Sequence, residues 1–156
     1  MILLKIIYLM SKKWMFSFVL VCVMFSANAQ FRKIPAEVTD SFKVKYKNAS
    51  GVSWKDKLTS FQTEFKDADK RMKATFSSGG GWLKTETKHS YKSLPSEVKD
   101  GFKKSKFANL KIIELVQVEE KNRETQYHIA VKKNNITKRS LIFSKSGQLI
   151  SDNASF

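Results

Sequence analysis

Two stretches of the chain have the spacing of apolar positions that is typical of an amphipathic helix. Ile34, Val38, Phe42 and Tyr46 recur every four residues, which places them on one helical face. The segment I-P-A-E-V-T-D-S-F-K at 34–43 returns as L-P-S-E-V-K-D-G-F-K at 94–103, with six of ten positions identical. This repetition predicts two copies of one structural unit.

Segments of alternating apolar and polar residues follow each helix, and this period of two indicates strands with one covered face. The predicted covered face is clearest at Phe61, Thr63, Phe65, Met72, Ala74 and Phe76 in the first copy and at Tyr127, Ile129 and Val131 in the second. Each copy is therefore predicted to contain one helix and four strands. The predicted fold class is α+β, a tandem α-β4 repeat that forms one antiparallel sheet with two helices packed on one face.

The N-terminal residues have the three parts of a secretory signal. Lys12 and Lys13 precede an apolar run of about a dozen residues, and Ala-Asn-Ala at 27–29 supplies a cleavage site. The predicted organisation is a signal peptide at 1–29, a first repeat at 30–92 and a second at 93–156, with 30–156 as one continuous domain. An uncleaved anchor is the alternative, and Met10 competes with Met1 as the start. The prediction is a periplasmic or secreted protein.

Charge and cysteine content limit the kinds of site and partner that we expect for the predicted mature chain. Cleavage removes three of the 29 basic residues and none of the 14 acidic ones, so residues 30–156 carry a formal charge of +12. The single cysteine, Cys22, lies in the predicted signal, which excludes a disulfide framework and a cysteine metal site. A basic surface attracts anions. The alternative is that scattered lysines only keep the protein soluble.

The chain resembles a known family in several of these motifs. They are the Pro-x-x-Val-x-x-x-Phe helices, the Trp54 strand, the F-Q-T-E-F and Y-H-I-A-V strands and the F-S-x-x-G endings of the third strands. Together they are similar to the putative beta-lactamase-inhibitor-like, PepSY-like family of bacterial envelope proteins. The resemblance implies the tandem α-β4 fold, and by analogy a binding or inhibitory role. It assigns no inhibitory residue to this chain.

No combination of residues in the sequence predicts catalysis. His89 and His128 lie in different repeats, and the mature chain has no cysteine to pair with either. The metalloprotease, nucleophile-elbow and phosphate-loop motifs do not occur. We therefore expect a protein that is not an enzyme and uses no cofactor or metal.

Two functions remain after catalysis is set aside. The first is an exported binding module of the cell envelope, with an inhibitor-like protein binder as its most specific form and a protein partner of unknown identity. The alternative is a basic envelope protein that binds anionic polymers or lipids, such as lipopolysaccharide or an anionic membrane surface. Nucleic acid is not an expected partner, because it is rarely available outside the cytoplasm.

A difference between the repeats suggests where a partner binds. If Val52, Trp54, Ile113 and Leu115 are core positions, the opposite face of the first repeat is polar throughout. The same face of the second repeat is apolar, and its candidate partner-binding residues are Ile112, Val116, Val118, His128 and Ile142, with Ala130 beside them. A protein partner, a second copy in a homodimer or the C-terminal segment could cover it. A β-bulge near Glu114 is the alternative, since it would return some of these residues to the core.

Overall fold

The structure is a computed structural model that describes residues 32–133 and 138–155. Two α-helices lie within these ranges, α1 at Ala36–Lys45 and α2 at Ser96–Lys104. The strands are β1 (Ser50–Asp56), β2 (Ser60–Asp67), β3 (Lys70–Ser77), β4 (Trp82–Lys88), β5 (Lys111–Glu120), β6 (Gln126–Lys132), β7 (Lys138–Ser144) and β8 (Leu149–Ser155). Neither helix is long and apolar enough to cross a membrane. The predicted signal at 1–29 lies outside the described residues.

The eight strands form one antiparallel sheet in which every strand pairs with the next along the chain. The two repeats join where β4 pairs with β5, from Lys84 opposite Glu120 to Lys88 opposite Val116. Because the pairing continues through this joint, the side chains of both repeats keep the same alternation between the two faces. The predicted fold class, an α+β tandem repeat with a single antiparallel sheet, is confirmed.

Each helix covers its own repeat on the same face of the sheet, which we call the helix side; the other face is the open side. In the first repeat, Val38 and Phe42 of α1 pack on the buried side chains of Phe61, Phe65 and Phe76. The Phe42 ring meets the Phe65 ring edge-on, with centroids 5.0 Å apart. The predicted helical stripe is thus the anchor of the first core.

The second core repeats this arrangement with more aliphatic residues. Val98 and Phe102 of α2 occupy the places of Val38 and Phe42, and both are almost fully buried. Beneath them lie the β-branched and leucine side chains of the central strands, namely Leu115, Ile129, Val131 and Leu141, together with Tyr127 and Phe143. Phe107, which follows α2, is buried as Tyr46 is after α1.

The first strand of each repeat contains a β-bulge, and the two bulges lie at equivalent places. They make the predicted core positions of these strands partly wrong. The pairing of β1 with β2 shifts between Ser50 and Ser53, and that of β5 with β6 shifts between Ile112 and Glu114. Trp54 and Leu115 pack in the cores as predicted. Val52 and Ile113 were predicted to be core positions as well, but they are 41% and 44% exposed, because the extra residue of each bulge has no partner on the neighbouring strand.

Candidate functional site

The bulge in β5 decides which of the predicted partner-binding residues reach the open side. Ile112 lies opposite Val131, and its side chain packs against the second core. Its predicted place on the open side is therefore wrong, and the alternative of a bulge near Glu114 is the arrangement observed. Beyond the bulge, Glu114 pairs with Ala130 and the alternation resumes. The bulge thus moves one apolar side chain from the candidate site into the core.

Three of the remaining candidates form a row across the open side. Val116 lies opposite His128, and His128 lies opposite Ile142. Cross-strand neighbours on one face have Cβ atoms about 5 Å apart, so the His128 side chain is in reach of both Val116 and Ile142. All three are half-buried. We call Val116, His128 and Ile142 the central row.

Val118 and Ala130 stand on either side of the central row. Ala130 lies between Glu114 and Ser140 on the neighbouring strands, and it is half-buried. Val118 faces Glu86 and Gln126, and only 6% of its surface is exposed. A shallow depression of about 270 Å³ is lined by both residues and by Val116 and His128. The longer side chains of its neighbours therefore cover Val118. It lines the floor of the depression and offers a partner little exposed surface.

His128 is the one titratable side chain in the central row. Burial lowers its pKa from the usual value of 6.5, and Lys84 contributes in the same direction. Glu86 and Glu120 act against this shift through their negative charges. The imidazole Nε2 lies 3.4 Å from the Gln126 side-chain oxygen. The neutral form of His128 is favoured, so the central row behaves as a largely uncharged surface near neutral pH.

Ion pairs border the central row on the side of the first repeat. Lys84 Nζ lies 2.6 Å from Glu86 Oε1, and Lys88 Nζ lies 3.3 Å from Glu114 Oε1. Surface pairs of this kind contribute little to stability, typically below about 1 kcal/mol. Their effect here is to neutralise the carboxylates next to an apolar surface. The sequence did not reveal this border, because it depends on which residues of β4 lie opposite β5.

The open side of the first repeat is polar, in agreement with the sequence. Lys55 Nζ donates to Glu64 Oε1 at 2.9 Å, and this bond is the main cause of the lowered pKa of the Glu64 carboxyl. Lys73 reaches Glu86 at 3.9 Å. The two halves of the open side therefore differ as predicted, with charge pairs in the first repeat and the central row in the second.

The two histidines lie on opposite faces of the sheet. The His89 ring packs edge-on against Tyr127 on the helix side, with centroids 6.4 Å apart, and its Nδ1 lies 3.1 Å from Ser93 Oγ. His128 is on the open side. Within the described ranges, no group of three or more His, Cys, Asp or Glu side chains could hold a metal ion.

Several solved structures share this architecture. A BLIP-like protein from Bacteroides fragilis superimposes with a TM-score of 0.77 at 24% identity, covering 81% of this chain and 90% of that one. A DUF2874 family protein from Bacteroides ovatus gives a TM-score of 0.75 at 24% identity, covering 79% and 89%. A protein from Bacteroides eggerthii described as a putative periplasmic protein gives 0.74 at 19% identity, covering 79% and 90%. These matches show a common fold.

The sequence itself carries the family assignment. No curated protein matches it significantly. The family model described as "Putative beta-lactamase-inhibitor-like, PepSY-like" matches residues 59–151, from the end of the β1–β2 turn to the third residue of β8. This range is more than half of the 156 residues and includes α2 and the central row. The chain therefore belongs to the putative beta-lactamase-inhibitor-like, PepSY-like family.

Proposed function

We propose that this protein is an exported, non-catalytic module of the cell envelope that binds a protein partner through the central row. The observation that carries the proposal is a half-buried apolar row on a sheet face that no described element covers. Both helices pack on the helix side, and β8 continues the sheet at its edge instead of folding back over the open side. Apolar side chains left uncovered in such a position support an interaction site.

The family supports a protein as the partner, and the N-terminal sequence supports export to the cell envelope. The family description and the BLIP-like relative favour a protein partner in an inhibitor-like complex. The signal-like pattern at residues 1–29 favours export, and the Bacteroides eggerthii relative is described as a putative periplasmic protein. A second copy of this chain is the alternative protein occupant, which would make a homodimer.

Capture from an envelope extract tests this proposal. Val116→Lys and Ile142→Lys place a charge in the central row, whereas Val44→Lys places one on α1 at a position that is already 73% exposed. The wild type and Val44→Lys should retain the same partner, and the two central-row variants should lose it with unchanged circular dichroism and melting temperature. Equal capture by all four proteins would contradict the proposal. Sedimentation of the purified protein identifies the homodimer.

The formal charge of +12 on residues 30–156 favours a second candidate, the binding of anionic envelope polymers or lipids. Sedimentation with phosphatidylglycerol vesicles at increasing salt measures it. Electrostatic binding to such a surface should weaken steeply between low and physiological ionic strength, because the Debye length falls to about 8 Å at 0.15 M. Binding that does not depend on salt, or no binding at low salt, excludes this candidate.

A further inference from the structure

We propose that the partner binds with a segment that is acidic at one end and apolar at the other. Its carboxylates would lie over Lys66, Arg71 and Lys88, which we call the cation row, and its apolar side chains would lie over Val116 and Ile142. This inference rests on the proposed function and specifies the chemistry of the partner.

Strand register places the cation row in line with the central row. Lys66 lies opposite Arg71, and Arg71 stands one residue beyond the Met72–Thr87 pair, which brings it opposite Lys88. Lys88 in turn lies opposite Val116. Neighbouring strands are about 4.8 Å apart, so the three cations span roughly 10 Å before the apolar positions begin.

Carboxylates of the described residues neutralise the cation row only in part. Lys88 is paired with Glu114, but neither Lys66 nor Arg71 has a carboxylate within ion-pair distance among the described residues. Like charges directly opposite each other destabilise a sheet. The next row on the same face avoids this repulsion, because the charges of Glu64, Lys73 and Glu86 alternate in sign across the same three strands.

The shape of the open side joins the two rows. A depression of about 440 Å³ is lined by all three members of the cation row and reaches Val116. It shares Glu86, Glu114 and Val116 with the smaller depression over the central row. Each carboxylate in these depressions is paired with a basic side chain, at Lys55–Glu64, Lys84–Glu86, Lys88–Glu114 and Arg123–Glu120. We call the cation row and the central row together the strip. Among the described residues, a ligand in the strip would therefore meet unneutralised charge chiefly at Lys66 and Arg71.

The order of side chains along the strip favours a protein segment over a uniform polyanion. A polymer charged along its whole length would bring anionic groups against Val116 and Ile142, where desolvating a charge is costly. A protein segment can present carboxylates to the cations and apolar side chains to the central row. Complementary charges would then fix its orientation and speed its association.

Fluorescence anisotropy with a labelled peptide that has a Glu-rich half and a Leu-rich half tests this inference. The double variant K66E/R71E should weaken binding at least about tenfold, as should Ile142→Lys. The control K103E/K104E makes the same change in net charge on α2, at two exposed positions on the helix side, and should bind within about twofold of the wild type. No binding of this peptide to the wild type, or equal loss in the control, overturns the inference.

The single variant K66E separates a binding role from a structural one. The introduced carboxylate would lie opposite Arg71, so the free protein should melt at a higher temperature while its affinity for the peptide falls. A fall in both quantities would show that Lys66 supports the fold, against the inference. Polyglutamate or phosphatidylglycerol vesicles that bind as tightly as the peptide would also overturn it.

Envelope capture distinguishes a failure of this inference from a failure of the proposed function. Envelope capture that is lost in Val116→Lys but retained in K66E/R71E would refute the acidic segment and leave the binding module intact. Capture that is unaffected by either change would refute both.

Discussion

Two buried threonines on the helix side show how much the position of one hydroxyl matters. Thr85 Oγ1 accepts a hydrogen bond from Trp82 Nε1 at 2.8 Å and is also bonded to the Tyr46 hydroxyl. Burial raises the pKa of that tyrosine above its usual value of 10.0. Thr63 lies equally deep, between Phe61 and Phe65 on β2, but its Oγ1 has no hydrogen-bond partner among the described residues. The Thr85 hydroxyl thus connects the Tyr46 and Trp82 side chains, whereas burial of the unpaired Thr63 hydroxyl lowers the stability of the fold.

This contrast predicts opposite effects of the same substitution. Thr63→Val should raise the free energy of unfolding by about 1 kcal/mol, because it replaces an unpaired buried hydroxyl by a methyl group. Thr85→Val should lower it by about 1–3 kcal/mol, because it leaves Tyr46 and Trp82 without their partner. Urea unfolding of both variants measures the difference. A destabilised Thr63→Val would mean that its hydroxyl is satisfied in solution.

The lowered pKa of His128 predicts that the stability of the fold depends on pH. Its pKa in the folded protein is below the usual 6.5, so the unfolded chain binds the proton more readily. The contribution of His128 is therefore constant above that value and becomes less favourable as the pH falls from about 6.5 through the folded pKa. His128→Gln should lose less stability than the wild type between pH 7.5 and pH 5, as measured by melting temperature. Identical curves would contradict the assignment.

At the scale of elements, the same contact between turn and helix occurs in both repeats. In the β3–β4 turn, Gly80 adopts a φ of 81°, and a Cβ there would lie 2.5 Å from the Glu37 carbonyl oxygen of α1. In the β7–β8 turn, Gly147 adopts a φ of 82° and meets the Glu97 carbonyl oxygen of α2 in the same way. The repeated F-S-x-x-G motif therefore fixes each helix to its own hairpin through a close backbone approach.

A glycine substitution tests this contact. Gly147→Ala should destabilise the protein by at least about 1–3 kcal/mol, since it combines a left-handed backbone with a collision against the backbone of α2. Gly79→Ala is the matched control, because a Cβ at that position meets no atom within 4 Å. Thermal unfolding of the two variants gives the comparison, and a Gly147→Ala protein as stable as the control would show that the turn can move away from α2.

At the scale of the whole molecule, the sheet unites two separate cores. Between them, the seam of β4 and β5 is polar on the helix side, where Thr85 faces Glu119 and Thr87 faces Gln117. On the open side, the same seam joins Lys88 to Val116. Backbone pairing and the Lys88–Glu114 ion pair thus join the repeats, whose cores are two separate clusters among the described residues. The cation row and the central row meet at this joint.

The predicted export signal can be checked on the intact protein. If cleavage follows Ala29, the mature chain begins at Gln30 and has a mass lower by residues 1–29, with a further loss of ammonia if Gln30 cyclises. Intact-mass spectrometry of the protein isolated from the envelope measures this. A mass that retains residues 14–29 would indicate an uncleaved anchor and contradict export as a free protein.

The sequence by itself determined the repeat, the two helices and the alternation of most strands. These features follow from local periodicity: the spacing of Val38 and Phe42, or of Phe61, Thr63 and Phe65, already defines the buried face of one element. The charge, the position of the single cysteine at Cys22 and the family motifs are likewise properties of the linear chain. For the same reason, the polar open side of the first repeat and most of the candidate residues in the second were predictable.

Only the tertiary structure decided the phase of β1 and β5 and the order of side chains across the open side. Ile112 and Ile113 are adjacent and equally apolar, so local periodicity cannot tell which one enters the core; the bulge against β6 makes that choice. The line from Lys66 through Arg71 and Lys88 to Val116 depends on the registers of three strand pairs. Register is a relation between distant segments, and a one-residue change in it exchanges the two faces of a strand.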